Sequence, residues 1–231
     1  MKRILSVMVM AAIVFLTVPP HAQAIDGLKM SGNVGATNKL VVRGQKQGIT
    51  DDVIAYGNAQ AELWFVRVGG DVKSVNLDNR SGTVAYGGFA EGFVGLWEQE
   101  LRLGLKTADD LENGETEIYA GVSGALPWGL GYAVTGYRSN QTNDVWVDLG
   151  ATKILGDFTV GVDTAFAQYD ETISDNGLEL VKGSLLWRVP ESLVSGVNFE
   201  LEGGYTHPLG DSIIGGVTST DHATIDARIR F

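Results

Sequence analysis

The sequence contains no cysteine, which excludes a disulfide framework and any thiolate metal site. Proline is scarce, with five residues in the chain. Positive charge is short: 17 Lys and Arg stand against 28 Asp and Glu, a formal charge of −11. That argues against nucleic acid, whose binding needs a basic patch. After residue 24 no long apolar run remains, so the rest of the chain offers no transmembrane helix. Helix-length apolar patterns are few, whereas glycine is plentiful at 31 residues. Glycine at that level suits strands with bends and close backbone approach.

The first 24 residues are of a different kind. Lys2 and Arg3 precede an apolar run from Ile4 to Val18, Pro19 and Pro20 break it, and Ala22-Gln23-Ala24 supplies small residues two apart. This pattern predicts a secretory signal peptide over 1–24, cleaved before Ile25. The run is too short for a spanning helix, and no cysteine follows the cleavage site as a lipoprotein would require. Losing Lys2 and Arg3 takes the formal charge from −11 to −13.

Residues 25–231 alternate. In the last nine, Ala223, Ile225, Ala227, Ile229 and Phe231 are apolar, and Thr224, Asp226, Arg228 and Arg230 are polar. That is period two over a whole strand. Strands of the same type recur: Met30–Arg43, Val53–Ala61, Trp64–Lys73, Thr83–Glu91, Glu98–Lys106 and Thr116–Gly124 in the first half. Leu130–Thr135, Val145–Thr152, Phe158–Tyr169, Val181–Arg188, Val197–Thr206 and Ala223–Phe231 follow. Short connections alternate with longer polar ones. About twelve strands, an even number with this loop asymmetry, predict an all-β fold: a transmembrane, antiparallel, up-and-down barrel. A closed barrel pairs every backbone group without an edge, as hydrocarbon demands. A soluble sandwich would show the same alternation. Three features favour the barrel: opposite charges two apart on the polar faces, the signal peptide, and aromatics near strand ends (Trp64, Tyr132, Trp187, Tyr205 and Phe231). A closing strand that ends on Phe also resembles the signal by which outer-membrane barrels are recognised for insertion, so the barrel-assembly machinery is an expected partner through Phe231.

If the polar faces line a lumen, its cations are Lys39, Arg43, Arg67, Lys73, Arg102, Lys106, Lys182, Arg188, Arg228 and Arg230. Its anions are Asp71, Glu98, Glu100, Glu117, Asp148, Asp163, Glu200, Glu202 and Asp226. Closure would set Arg228 and Arg230 between the strand of Glu200 and Glu202 and that of Lys39, so Arg–Glu pairs across strands are expected. Two outcomes follow: a charged constriction passing small polar solutes, or a salt-bridged interior that closes the barrel. The surplus acids lie mostly in connections: Asp51, Asp52, Asp78, Asp109, Asp110, Glu112, Glu115, Asp144, Asp170, Glu171, Asp175 and Asp211. They suit a solvated outer surface, or contact with lipopolysaccharide through divalent ions.

Several segments carry a family likeness. Ser31-Gly32-Asn33-Val34-Gly35 followed by Arg43-Gly44 and Gln47, Thr116-Glu117-Ile118-Tyr119-Ala120-Gly121-Val122-Ser123, and Leu155-Gly156-Asp157-Phe158 followed by Val160-Gly161 resemble the TorF-like porin family of Gram-negative bacteria. Ala125-Leu126-Pro127-Trp128 departs from that pattern. The resemblance implies an outer-membrane barrel of porin type and no defined solute.

The expected function is therefore passive passage of small hydrophilic solutes across the outer membrane, with no cofactor, no metal and no catalysis. The alternative is a closed structural or interaction barrel with acidic external loops. A rim hydrolase is a distant third. It would rest on His207 or His222 with Ser212, Ser219 or Thr220 nearby, while Thr206 points to the opposite face from His207.

Overall fold

The computed structural model describes residues 27–231 apart from 39, 43–44, 48–52, 78–79, 109–114, 141–142, 169–176, 194–196, 210–212, 215–216 and 219–220. The expected signal peptide, Lys39, Arg43, most of the acidic connections and the loop residues Ser212, Ser219 and Thr220 lie outside the described residues.

Twelve strands close into one antiparallel barrel. They are β1 (Leu28–Thr37), β2 (Ile54–Leu63), β3 (Val66–Leu77), β4 (Arg80–Leu96), β5 (Gln99–Ala108) and β6 (Glu115–Leu126). The second half is β7 (Leu130–Ser139), β8 (Val145–Leu155), β9 (Phe158–Gln168), β10 (Gly177–Arg188), β11 (Asn198–Pro208) and β12 (His222–Arg230). Each strand pairs with its sequence neighbours, and β1 closes the ring on β12 with Val34 opposite Ile229. Closure leaves no open edge in the ring. Two small hairpins, Leu40–Val42 with Gln45–Gln47 and Ile213–Ile214 with Val217–Thr218, sit apart from it.

One rim carries short turns at 64–65, 97–98, 127–129 and 156–157, together with the start of β1 and the end of β12. Tight hairpin turns need positive φ, normally from Gly, Asn or Asp. Here Trp64 (φ 56°), Trp97 (φ 58°) and Trp128 (φ 66°) supply it, and Gly156 (φ 63°) does so in the fourth turn. A non-glycine residue in this region costs about 1–2 kcal/mol.

These tryptophans explain where the sequence expectations depart from the structure. Gly92 to Trp97 reads as a turn, yet β4 runs through Gly92 and Gly95 to Leu96. The turn sits on Trp97 and Glu98, so Glu98 is a rim residue and not part of a strand face. The first turn falls at Trp64-Phe65 and not near Glu62-Leu63. β1 ends at Thr37 and does not reach Arg43. The β3–β4 ladder continues to Leu77 opposite Arg80 where a loop over 76–82 was expected.

The two faces differ as period two requires. Leu101, Leu103 and Leu105 of β5 point outward and are exposed, as are Val160 and Val162 of β9 and Ile225 of β12. Leu103 is 62% exposed. An apolar belt of this extent is far beyond what a soluble monomer leaves in water. The alternate residues converge on the inside.

Candidate functional site

The interior begins with the register. Arg67, Asp71 and Lys73 of β3 share a face with Glu62, Asn58 and Tyr56 of β2. The same parity places Glu91 and Phe93 of β4, Glu100, Arg102 and Lys106 of β5, Glu117 and Tyr119 of β6, and Thr135 and Tyr137 of β7 on that face. It continues with Trp146 and Asp148 of β8, Asp163 of β9, Lys182 and Arg188 of β10, Glu200 and Glu202 of β11, and Asp226, Arg228 and Arg230 of β12. Every expected lumen charge that lies among the described residues is therefore on this one face, except Glu98.

Contacts that skip a strand identify the face as concave. Backbones two strands apart are roughly 9.5 Å from each other, and only side chains converging inside a closed sheet span that gap easily. The Tyr56 hydroxyl on β2 donates to Asp226 Oδ2 on β12 at 2.7 Å, passing over β1. Tyr119 on β6 donates to Glu91 Oε2 on β4 at 2.7 Å, passing over β5. Arg102 on β5 donates to Thr135 Oγ1 on β7 at 2.6 Å, passing over β6.

Beneath each bridge lies a glycine. A Cβ on Gly35 would stand 2.6 Å from the Tyr56 hydroxyl, one on Gly104 2.7 Å from Tyr119 Cζ, and one on Gly121 2.8 Å from Arg102 Nε. The inward glycines are the floor over which long side chains reach the next strand but one. Gly104→Ala is accordingly expected to lower stability by about 1–3 kcal/mol through overpacking. Urea titration of the folded barrel in detergent measures this, and Tyr119→Ala in the same chain should recover part of the loss.

Two charge clusters result. In the first, Arg67 donates to Glu91 Oε1 at 2.5 Å, to Glu62 Oε2 at 3.1 Å and to Glu100 Oε2 at 3.1 Å. Its guanidinium carbon lies 4.5 Å from the centre of the Phe93 ring, within cation–π range. Tyr119 and Tyr137 follow with ring centres 5.8 Å apart, and Trp146, which packs against Tyr137, donates to Asp148. In the second, Arg228 donates to Glu200 Oε2 at 2.8 Å and Glu202 Oε2 at 3.1 Å, with Asp226 Oδ1 at 3.6 Å. Arg188 Nε and Arg230 Nη1 reach the other Glu200 oxygen at 3.4 and 3.2 Å. Lys182 Nζ stands 3.6 Å from Glu202. Elsewhere Lys106 faces Glu117, Asp163 faces Lys182, and Lys73 lies 3.7 Å from Asp71.

Alternation places Tyr119 on the inner face with Glu117, as the structure does, but sequence reasoning does not find Glu62, Glu91, Tyr56 and Tyr137 as interior groups. In the sequence Glu62 falls at an expected tight connection near Glu62-Leu63, and the faces of Thr83–Glu91 cannot be assigned from alternation because both carry aromatics and glycines. Tyr56 and Tyr137 carry no charge to mark them. A signal for them exists in the inward glycines, each one register step from a long polar side chain.

Among the described residues, cavities lie along the interior. One of about 570 Å³ is lined by Asn33, Asn58, Gln60, Arg188 and Arg230 among others. A second, about 560 Å³, shares Asn58 and Gln60 with the first and adds Tyr56, Lys73, Glu202 and Arg228. A third, about 400 Å³, shares Lys182 and Thr224 with the second and adds Arg102, Trp146 and Asp148. They form a series through shared walls.

At the opposite rim, the outward His207 places Nδ1 2.7 Å from Asp221 Oδ1, and Tyr205 donates to Asp221 Oδ2 at 2.8 Å. Thr206 is buried on the inner face, opposite His222. Among the described residues, no cluster of three or more His, Asp or Glu is arranged to hold a metal ion.

No protein-family model matches the sequence, and no curated protein sequence does. Solved structures do match in shape. The KdgM porin aligns with a TM-score of 0.59 at 7% identity, over 87% of this chain and 98% of that one. The NanC porin aligns with a TM-score of 0.55 at 11% identity, over 88% and 99%. At such identities the likeness is one of fold: the twelve-stranded barrel has the shape of these two porins.

Proposed function

We propose that the protein is an outer-membrane channel for passive passage of small hydrophilic solutes. The observation that carries this is the set of neighbouring cavities, each lined by charged and polar side chains, inside a closed barrel whose outside is apolar. A packed soluble core would be apolar inside and polar outside. Here the order is inverted, as lipid outside and water inside require. Twelve strands enclose less space than the 16–18 of the large porins, which favours ions and small metabolites. On this reading residues 1–24 direct export, the closing strand through Phe231 engages the barrel-assembly machinery, and the acidic loops face lipopolysaccharide. No catalytic role is assigned: among the described residues His207 is met by Asp221, and the hydroxyls a rim hydrolase would use lie outside the described residues.

The test is single-channel recording. Full-length protein refolded in detergent and added to a planar bilayer is expected to give discrete current steps. A silent bilayer with correctly folded protein sinks the channel. It would favour instead a barrel closed by the Arg67 and Arg228 networks, which are the observation on that side.

A further inference from the structure

The cavity nearest the short-turn rim has an uneven charge distribution. Its charged side chains are Arg188, Arg230 and Glu200. The acid is buried: the Glu200 side chain is 3% exposed, against 50% for Arg188 and 52% for Arg230. Glu200 is also shared. Arg228 takes one of its oxygens from within the wall, while Arg188 and Arg230 each approach the other oxygen. Arg228 is also met by Glu202 and Asp226, so the charge balance of this cavity is Arg188 and Arg230 against the single Glu200. Each guanidinium carries five N–H donors and no acceptor, and the part of Arg188 and Arg230 not turned to Glu200 faces the cavity. Around the same space stand Asn33, Asn58, Gln60 and Asn198, neutral groups that add no competing negative side chain. A half-exposed guanidinium pair over a buried acid presents a positive field to whatever enters, in the planar fork that suits carboxylates.

We infer that this vestibule makes the channel prefer small anions, with Arg188 and Arg230 as the selecting residues. The inference rests on the channel reading and goes beyond it by naming the solute charge. Further in, the second cavity pairs Lys73, Lys182 and Arg228 with Asp71, Glu202 and Asp226, so its lining is balanced; at the short-turn end Glu62, Glu91 and Glu100 are turned to Arg67 and do not line the Arg188–Arg230 cavity. The acidic outer loops do not reverse this, because charges further away than a Debye length of roughly 8 Å are screened at physiological salt.

The experiment is the reversal potential of the full-length protein in a planar bilayer across a KCl gradient. The wild type is expected to show the sign set by chloride. Arg188→Gln with Arg230→Gln should lower the chloride-over-potassium permeability ratio several-fold. Asn198→Asp, which adds a carboxylate to the same lining and keeps both arginines, should shift the ratio in the same direction and serves if the double variant does not fold. A wild type that conducts but prefers potassium overturns the anion inference and leaves the channel intact. So do folded, conducting variants with the wild-type reversal potential. A wild type that never conducts removes the channel itself.

Discussion

Arg67→Leu is expected to cost about 3–5 kcal/mol of barrel stability, the usual loss when one partner of a buried ion pair is removed. Arg67 touches Glu62, Glu91 and Glu100 together. Glu62 and Glu100 are partly solvated and can turn to water. The Glu91 side chain is 4% exposed and cannot, so its charge would be stranded beside the Phe93 ring that Arg67 now covers. Urea unfolding of the refolded protein in detergent or vesicles should show the midpoint falling with little change in slope. The decisive comparison is Arg67→Leu with Glu91→Leu. If the loss comes from the stranded charge, the double variant regains most of it, because replacing a whole buried pair by apolar groups is often neutral. Equal stability of Arg67→Leu and wild type would show that the network is ornamental to the fold.

Leu103→Arg tests the other face. Leu103 lies at the middle of β5, outward and exposed. In a bilayer that position sits near the midplane, where an arginine on the lipid face costs about 2–4 kcal/mol. Gln99 is on the same face of the same strand but at the short-turn rim, where the same substitution costs about 0–1 kcal/mol. The depth dependence is the result that matters. Both variants add the same side chain to the same surface, so water on the outside predicts no difference between them. Folding yield and urea midpoint in lipid vesicles measure it, and equal values for the two would end the lipid-facing reading of this surface.

The strand number and the sorting of polar from apolar positions were legible because they are local. Alternation along β5 or β12 follows from two residues per repeat and survives any tertiary arrangement. The turns were less legible because the residues that make them are unusual. Gly92 has the composition of a turn and lies in a strand, while Trp97 has the composition of a strand and takes the left-handed conformation. That exchange moved Glu98 out of the interior. The arginine–glutamate pairing of β11 and β12 was foreseeable, since adjacent antiparallel strands place Glu200 opposite Arg228 once register is known. The links from Tyr56 to Asp226 and from Arg67 to Glu100 were not, because each skips a strand.

By itself, the sequence determined that there are two faces, that about twelve strands carry them, and most of the charges that share the polar one. The tertiary structure alone decided which of those charges meet, which are buried and which stay open to the cavities. The reason is geometric. Period-two alternation assigns a side to every residue, but partners across a barrel depend on the stagger between strands and the curvature of the closed sheet, and neither is written in any single strand.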